Sequence, residues 1–190
     1  DFMVFIVHGY DSSPQKNWFV WLQSRLAEAE IPTQILAMPN PQTPILADWI
    51  AHLQHCAPAL GENDVFVAHS LGCIATLQFL QVAKYQKLGG IVLVAGFFEP
   101  VAGLESLDSF TAPMLNFETL RAKIRRRAVL AARDDSIVPF VLTQNLAQNL
   151  AADLMIYEKG NHFMDSDGFT RLPIVEFLVR DCLARGEENR

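Results

Sequence analysis

Three segments of this sequence carry side chains whose types, order and spacing suit nucleophilic acyl chemistry. Ser70 lies in the run Val67-Ala68-His69-Ser70-Leu71-Gly72, where an apolar stretch ends and a helical pattern begins. This is the G-x-S-x-G nucleophile elbow with alanine in place of its first glycine, and alanine is small enough for a tight strand-to-helix turn. A serine hydroxyl is a weak nucleophile alone; it needs a base to take its proton and an acid to orient that base. The segment Arg133-Asp134-Asp135-Ser136-Ile137-Val138-Pro139 supplies an acid, and Lys159-Gly160-Asn161-His162-Phe163 supplies a histidine. Taken singly, a serine caps helices, paired aspartates make turns and a loop histidine is solvated. Taken together, they follow the order serine, aspartate, histidine that this elbow requires. Ser70 therefore reads as nucleophile and His162 as general base.

Such a reaction also needs donors for the negative oxygen of a tetrahedral intermediate. The helix after Ser70 points its first amides, including Leu71 N–H, at that position. A second donor should come from the loop after the first apolar run, His8-Gly9-Tyr10, where glycine permits close approach; Tyr10 N–H is the candidate. The other histidines have simpler readings. His69 should face away from the nucleophile at a tight elbow, and His8 should support the oxyanion loop. His52, His55 and Cys56 share a helix, yet no further ligand set has metal spacing. Neither metal nor organic cofactor is expected.

These groups must be carried by a scaffold, and the chain supplies a regular one. Apolar runs at Phe2 to Val7, Thr33 to Ala37, Val65 to Ala68, Gly90 to Ala95, Ala128 to Ala132 and Leu154 to Tyr157 read as strands buried on both faces. Amphipathic stretches alternate with them: Trp18 to Ala29, Ile45 to Cys56, Leu71 to Tyr85, Phe117 to Ile124, Val141 to Leu150 and Arg171 to Ala184. The expectation is a doubly wound α/β fold, one domain over residues 1–190, with a mostly parallel six-stranded sheet and right-handed crossovers. Ligands bind outside the carboxyl ends of such strands, and each candidate group follows one. Trp18, Trp21, Leu22 and Leu26 read as a core-facing helix stripe. Gly96 to Asn116 is the longest stretch without a pattern and reads as a lid or substrate wall.

Bulk properties narrow the function classes. The 190 residues are 51% hydrophobic and 19% charged, which suits one folded core and excludes a disordered chain. A net charge of −6 argues against a nucleic-acid partner, and the short basic cluster Arg121 to Arg127 reads as a solvated helix end followed by a strand start. Three cysteines, Cys56, Cys73 and Cys182, have no C-x-x-C spacing and cannot all pair, so a reducing, cytoplasmic setting is expected. No run approaches the length of a membrane span. The chain opens at Asp1 and not at Met, which leaves room for a preceding segment.

These motifs, with Gly9-Tyr10-Asp11-Ser12-Ser13-Pro14 and the Trp18, Trp21, Leu22 pattern, resemble the small serine hydrolases related to retinoblastoma-binding protein nine and its bacterial relatives. The likeness runs over nearly the whole chain. It implies a compact α/β-hydrolase fold without a large cap, and a nucleophile, acid and base at Ser70, Asp135 and His162. Asp135 is preferred over Asp134 because it begins the Asp-x-x-Val-Pro pattern that the resemblance associates with the acid. The sequence departs from the family at Ala68, where glycine is usual, and at Asn161, in a segment often written G-G-H-F; neither change removes a reacting group. The family's name implies a pocket-protein interaction through L-x-C-x-E, but that motif is absent, so no protein partner is carried over. The expected activity is hydrolysis of small carboxylic esters through an acyl-enzyme. The alternatives are a peptidase, amidase or thioesterase using the same triad, and a protein-binding module on a hydrolase scaffold.

Overall fold

The structure, a computed structural model, describes residues 2–188. Its strands are short runs of β-branched and aliphatic residues: β1 (Val4–Val7), β2 (Thr33–Leu36), β3 (Val65–His69), β4 (Leu88–Val94), β5 (Ile124–Ala132) and β6 (Asp153–Tyr157). They form one parallel sheet in the order β2-β1-β3-β4-β5-β6. Every residue of β1, β3 and β4 is buried, whereas β2 and β6 at the edges are partly exposed. That difference follows from position, since a central parallel strand is covered on both faces.

The helices are α1 (Phe19–Glu28), α2 (Leu46–Cys56), α3 (Leu71–Val82), α4 (Asp108–Thr111), α5 (Phe117–Lys123), α6 (Phe140–Asn149) and α7 (Pro173–Glu188). Alternate strand residues face opposite layers. Val4, Ile6, Val65 and Val67 pack with Trp18 just before α1, Phe19 and Leu22 of α1, and Val175 and Val179 of α7. Phe5, Val7, Phe66 and Ala68 pack with Trp49 of α2, most of α3, and Leu146 of α6. Trp18, at the entry to α1, and Leu22 and Leu26 on it are fully buried, while Trp21 is half-buried against the same layer, so the expected stripe is a core face with Trp21 at its edge. None of the described helices is long and apolar enough to cross a membrane.

Two expectations are corrected. Strand β5 begins at Ile124, four residues before the expected Ala128, because pairing of Leu88 with Ile124 and of Gly90 with Arg126 extends β4 and β5 through the basic run. Sheet pairing here overrides the polar composition. Arg126 in that run is buried and not solvated; its guanidinium pairs with Asp153 and, at 2.7 Å, with Asp181. The second correction concerns Gly96 to Asn116, which holds a 3₁₀ turn at Glu105–Leu107 and then α4. Phe97, Val101, Leu107 and Phe110 are buried, and Gln78 of α3 donates to the carbonyls of Phe110 and Pro113. This segment covers α3. Its pattern was hidden because the apolar residues answer to a neighbouring helix and not to a periodic element of their own.

The first turn of α3 presses on the end of β1. A Cβ at Gly72 would lie 2.5 Å from the Val7 carbonyl oxygen and 2.6 Å from that of His8. Backbone cannot yield to such a contact cheaply, so Gly72→Ala should lower stability in urea by about 2 kcal/mol or more. Gly61→Ala, whose added methyl would meet its nearest atom at 3.9 Å, should change it by under about 0.5 kcal/mol. Equal effects would contradict the role given to this contact.

Candidate active site

Strand β3 ends at His69 and α3 begins at Leu71, leaving Ser70 to make the whole turn. It does so at φ 56°, ψ −123°, a conformation outside the ordinary regions for an L-residue. Strain of this kind costs about 1–3 kcal/mol and persists only where the surroundings impose it. Here they do: Ser70 N–H donates to the Val94 carbonyl at 2.9 Å, and Gly72 seats the helix on β1. The Ser70 side chain makes no helix-capping bond. Its hydroxyl lies 2.9 Å from His162 Nε2 instead.

The loops after β5 and β6 complete a chain of hydrogen bonds. His162 Nδ1 lies 2.9 Å from Asp135 Oδ2. A carboxylate only accepts, so Nδ1 carries the proton and Nε2 is left to accept from the serine hydroxyl. The other carboxylate oxygen, Asp135 Oδ1, accepts from the amides of Ile137 and Val138, both at 2.9 Å. The His162 and Asp135 side chains are 4% and 2% exposed, so their contact is shielded from water and from salt. Asp134 points elsewhere. Its Oδ1 accepts from Gly160 and Asn161 N–H, and these donors hold its carboxyl below the ordinary value.

At the end of β1, Gly9 passes close to the serine. A Cβ there would sit 3.0 Å from Ser70 Cβ and 3.4 Å from Leu71 N, so only glycine lets the two backbones approach. His8 governs the next peptide. Its Nε2 accepts from Met38 N–H at 3.0 Å, which leaves Nδ1–H to donate to the Gly9 carbonyl at 2.9 Å. In a trans peptide C=O and N–H point oppositely, so this bond turns Tyr10 N–H away from His8. Among the described residues neither Tyr10 N–H nor Leu71 N–H has a backbone acceptor.

His69 makes no side-chain hydrogen bond to Ser70 among the described residues, and its ring packs against Trp18 and Phe19. Its Nε2–H donates to the His162 carbonyl at 2.7 Å, and its ring lies 4.9 Å from the His162 ring. Trp18 Nε1–H donates to the next carbonyl, that of Phe163. Periodicity identifies Trp18 as core, but a bond across 145 residues leaves no local signal; the same is true of His69. Burial and the neighbouring His162 push the His69 pKa down to about 3. Burial likewise lowers that of His8.

A cavity of about 250 Å³ opens beside Ser70 and His162. Its walls are the loop after β1, including Tyr10, Ser12 and Lys16, and the loop after His162, including Met164 and Asp165. Two reciprocal bonds close these loops on each other: Asn17 N–H to Asp165 Oδ2 and Asp165 N–H to Asn17 Oδ1. The expected substrate wall at Gly96 to Asn116 is not among the lining residues. On α2, His52 Nε2 lies 3.6 Å from Cys56 Sγ, and no group of three metal-ligating side chains occurs among the described residues.

A family model described as serine hydrolase matches residues 4–181. The chain belongs to the serine hydrolase family. YdeN of Bacillus subtilis is 44% identical over 173 residues, covering 90% of this chain and 91% of that protein. The serine hydrolase RBBP9 of Rattus norvegicus is 24% identical over 175 residues, covering 88% and 89%. The crystal structure of the B. subtilis ydeN gene product superposes with a TM-score of 0.94 at 40% identity over 97% of this chain and all of that one. Est1E from Butyrivibrio proteoclasticus, solved with ferulic acid bound, shares the fold at a TM-score of 0.74 and 12% identity, over 98% of this chain and 89% of that one. This serine hydrolase therefore has an α/β-hydrolase fold.

His69 makes the site sensitive to acid. The unfolded chain protonates this ring near 6.5 and the folded protein only near 3, so the folded state binds fewer protons between those values. The stability due to neutral burial is complete above about 6.5 and is lost as pH falls, by roughly 1.4 kcal/mol per unit once well below it. His69→Gln retains a donor and stays uncharged, so its stability should decline less than the wild type's between pH 6 and 4. Parallel urea titrations would show this, and identical acid slopes would contradict it.

Proposed function

We propose that this serine hydrolase is a carboxylesterase acting on small esters through an acyl-enzyme on Ser70. The observation that carries the reading is the pair of 2.9 Å contacts joining Asp135, His162 and a serine held in a strained elbow. The elbow directs the serine hydroxyl toward the imidazole. The cavity beside it supplies room for a reacting carbonyl.

As Ser70 Oγ attacks the ester carbonyl carbon, its proton passes to His162 Nε2 and the carbonyl π pair moves onto oxygen. Tyr10 and Leu71 N–H donate to that oxyanion, while Asp135 stabilises the doubly protonated ring and keeps its orientation. Collapse breaks the bond to the leaving alkoxide, which takes the proton from Nε2 and departs as an alcohol. Water then repeats the sequence, with His162 as base again, and releases a carboxylic acid and free Ser70.

Ser70→Ala should reduce ester turnover to the residue left by binding and oxyanion donors, with the fold intact; near-wild-type rates would refute the mechanism. Asp135→Asn should lose about 10² or more in kcat, because an amide presents a donor where the imidazole N–H needs an acceptor. Asp134→Asn keeps the Oδ1 acceptor that serves Gly160 and Asn161, so its loss should be under about tenfold. The reverse ranking in saturating ester would move the acid to Asp134.

Cavity volume supports the substrate size. About 250 Å³ lies below the roughly 300–1,000 Å³ typical of drug-sized ligand sites, so short acyl chains should be favoured. Comparing kcat/KM for butyrate and palmitate esters tests this directly. A clear preference for palmitate would contradict it.

A further inference from the structure

We infer that Asn161 is a positioning residue that clasps the acid loop to the base loop and so holds the Asp135–His162 hydrogen bond in register. This rests on the reading of Asp135 and His162 as acid and base. Asn161 immediately precedes His162, and its backbone N–H and side-chain oxygen both bond across to the acid loop. Its backbone N–H donates to Asp134 Oδ1 at 2.8 Å, on one side of Asp135. Its side-chain Oδ1 accepts from the N–H and the hydroxyl of Ser136, both at 2.8 Å, on the other side. Asp135 is thereby bracketed by two neighbours tied to a single residue of the opposite loop.

The remaining end of the amide is also used. Asn161 Nδ2–H donates to Asp167 Oδ1 at 2.8 Å, and Asp167 Oδ2 accepts from His162 N–H at 3.2 Å and Met164 N–H at 3.1 Å. One side chain therefore links the backbone just after the acid to the carboxylate that holds the backbone of the base. A carboxylate at 161 could not donate to Asp167, and a lysine could not accept from Ser136; the asparagine amide does both at once, through separate atoms. The backbone of Asn161 lies at φ 47°, a left-handed conformation that glycine adopts freely and asparagine tolerates. The turn itself therefore needs no side chain at this position, and the asparagine amide is free to serve as a link.

The chemistry gives the clasp its use. His162 gains and loses a proton twice in each turnover, and the Nδ1–Asp135 contact must survive each change of charge without the two loops sliding apart. Misplacement of a catalytic group by a fraction of an ångström to one ångström lowers rate much more than it lowers binding.

Asn161→Gly keeps the backbone conformation and removes the link. It should lower kcat by about tenfold while changing KM by less than about twofold. Asn161→Asp faces one carboxylate with another, and Asp167→Asn faces one NH2 group with another; each should lose kcat similarly. The double variant Asn161→Asp, Asp167→Asn reverses the bond and should recover most of the loss, which a merely structural role would not do. A second readout is the His162 Nδ1 proton in NMR, whose exchange with solvent should be faster in Asn161→Gly. Wild-type kcat and exchange in Asn161→Gly, or additive losses in the double variant, would overturn the clasp. Undiminished turnover in Ser70→Ala would instead overturn the nucleophile reading, and the proton exchange would still report on the clasp.

Discussion

The contact between the first turn of α3 and the end of β1 governs the geometry of everything around the serine. Gly72 lies so close to the Val7 and His8 carbonyls that no side chain fits between them, and Gly9 approaches Ser70 and Leu71 N from the same strand end. With the helix this near, the chain has one residue in which to turn from β3 into α3, and Ser70 accepts a positive φ to make the turn. The position is also where the chain order of the sheet reverses, since β1 leads outward to β2 while β3 returns to its other side. A parallel sheet leaves its ligand crevice at this place. The strain in the serine backbone and the presence beside it of two amides without a backbone acceptor among the described residues thus have a common cause in packing.

Around that contact, three buried histidines each donate one ring N–H to a group that can only accept. His162 gives its Nδ1 proton to Asp135, His69 gives its Nε2 proton to the His162 carbonyl, and His8 gives its Nδ1 proton to the Gly9 carbonyl. Burial keeps His8 and His69 from taking up charge, so they act as fixed donors that set backbone direction. His162 differs in that its free nitrogen faces the serine hydroxyl. Its neighbours do not compete for the serine proton because their own nitrogens are committed or enclosed. Electrostatic preorganisation of this sort avoids reorganising dipoles during the reaction.

Much of this was legible in the sequence because it depends on local pattern. Continuous apolar runs mark strands that are covered on both faces, and small residues around Ser70 mark the tight turn. The chain order of serine, aspartate and histidine then assigns each group to a strand end. What stayed hidden depends on distant partners. His69 is read against its neighbour Ser70, but its hydrogen bond is to residue 162. Asp134 looks like a turn residue, and the two amides it accepts from belong to another loop. The early start of β5 was concealed by three arginines, one of which is buried only because Asp153 and Asp181 arrive from elsewhere in the fold. Gly96 to Asn116 showed apolar residues without period, since it packs as a cover on α3.

The central claim is that Ser70 is the nucleophile activated by His162, and covalent capture tests it most directly. Folded protein would be incubated with an alkyl fluorophosphonate, which loses fluoride when an activated serine oxygen attacks phosphorus, and the adduct located by peptide mass spectrometry. The account predicts a single phosphonyl group on the peptide containing Ser70, absent in Ser70→Ala and formed more slowly in Asp135→Asn. No adduct on folded wild-type protein, or an adduct on a different residue, would contradict it.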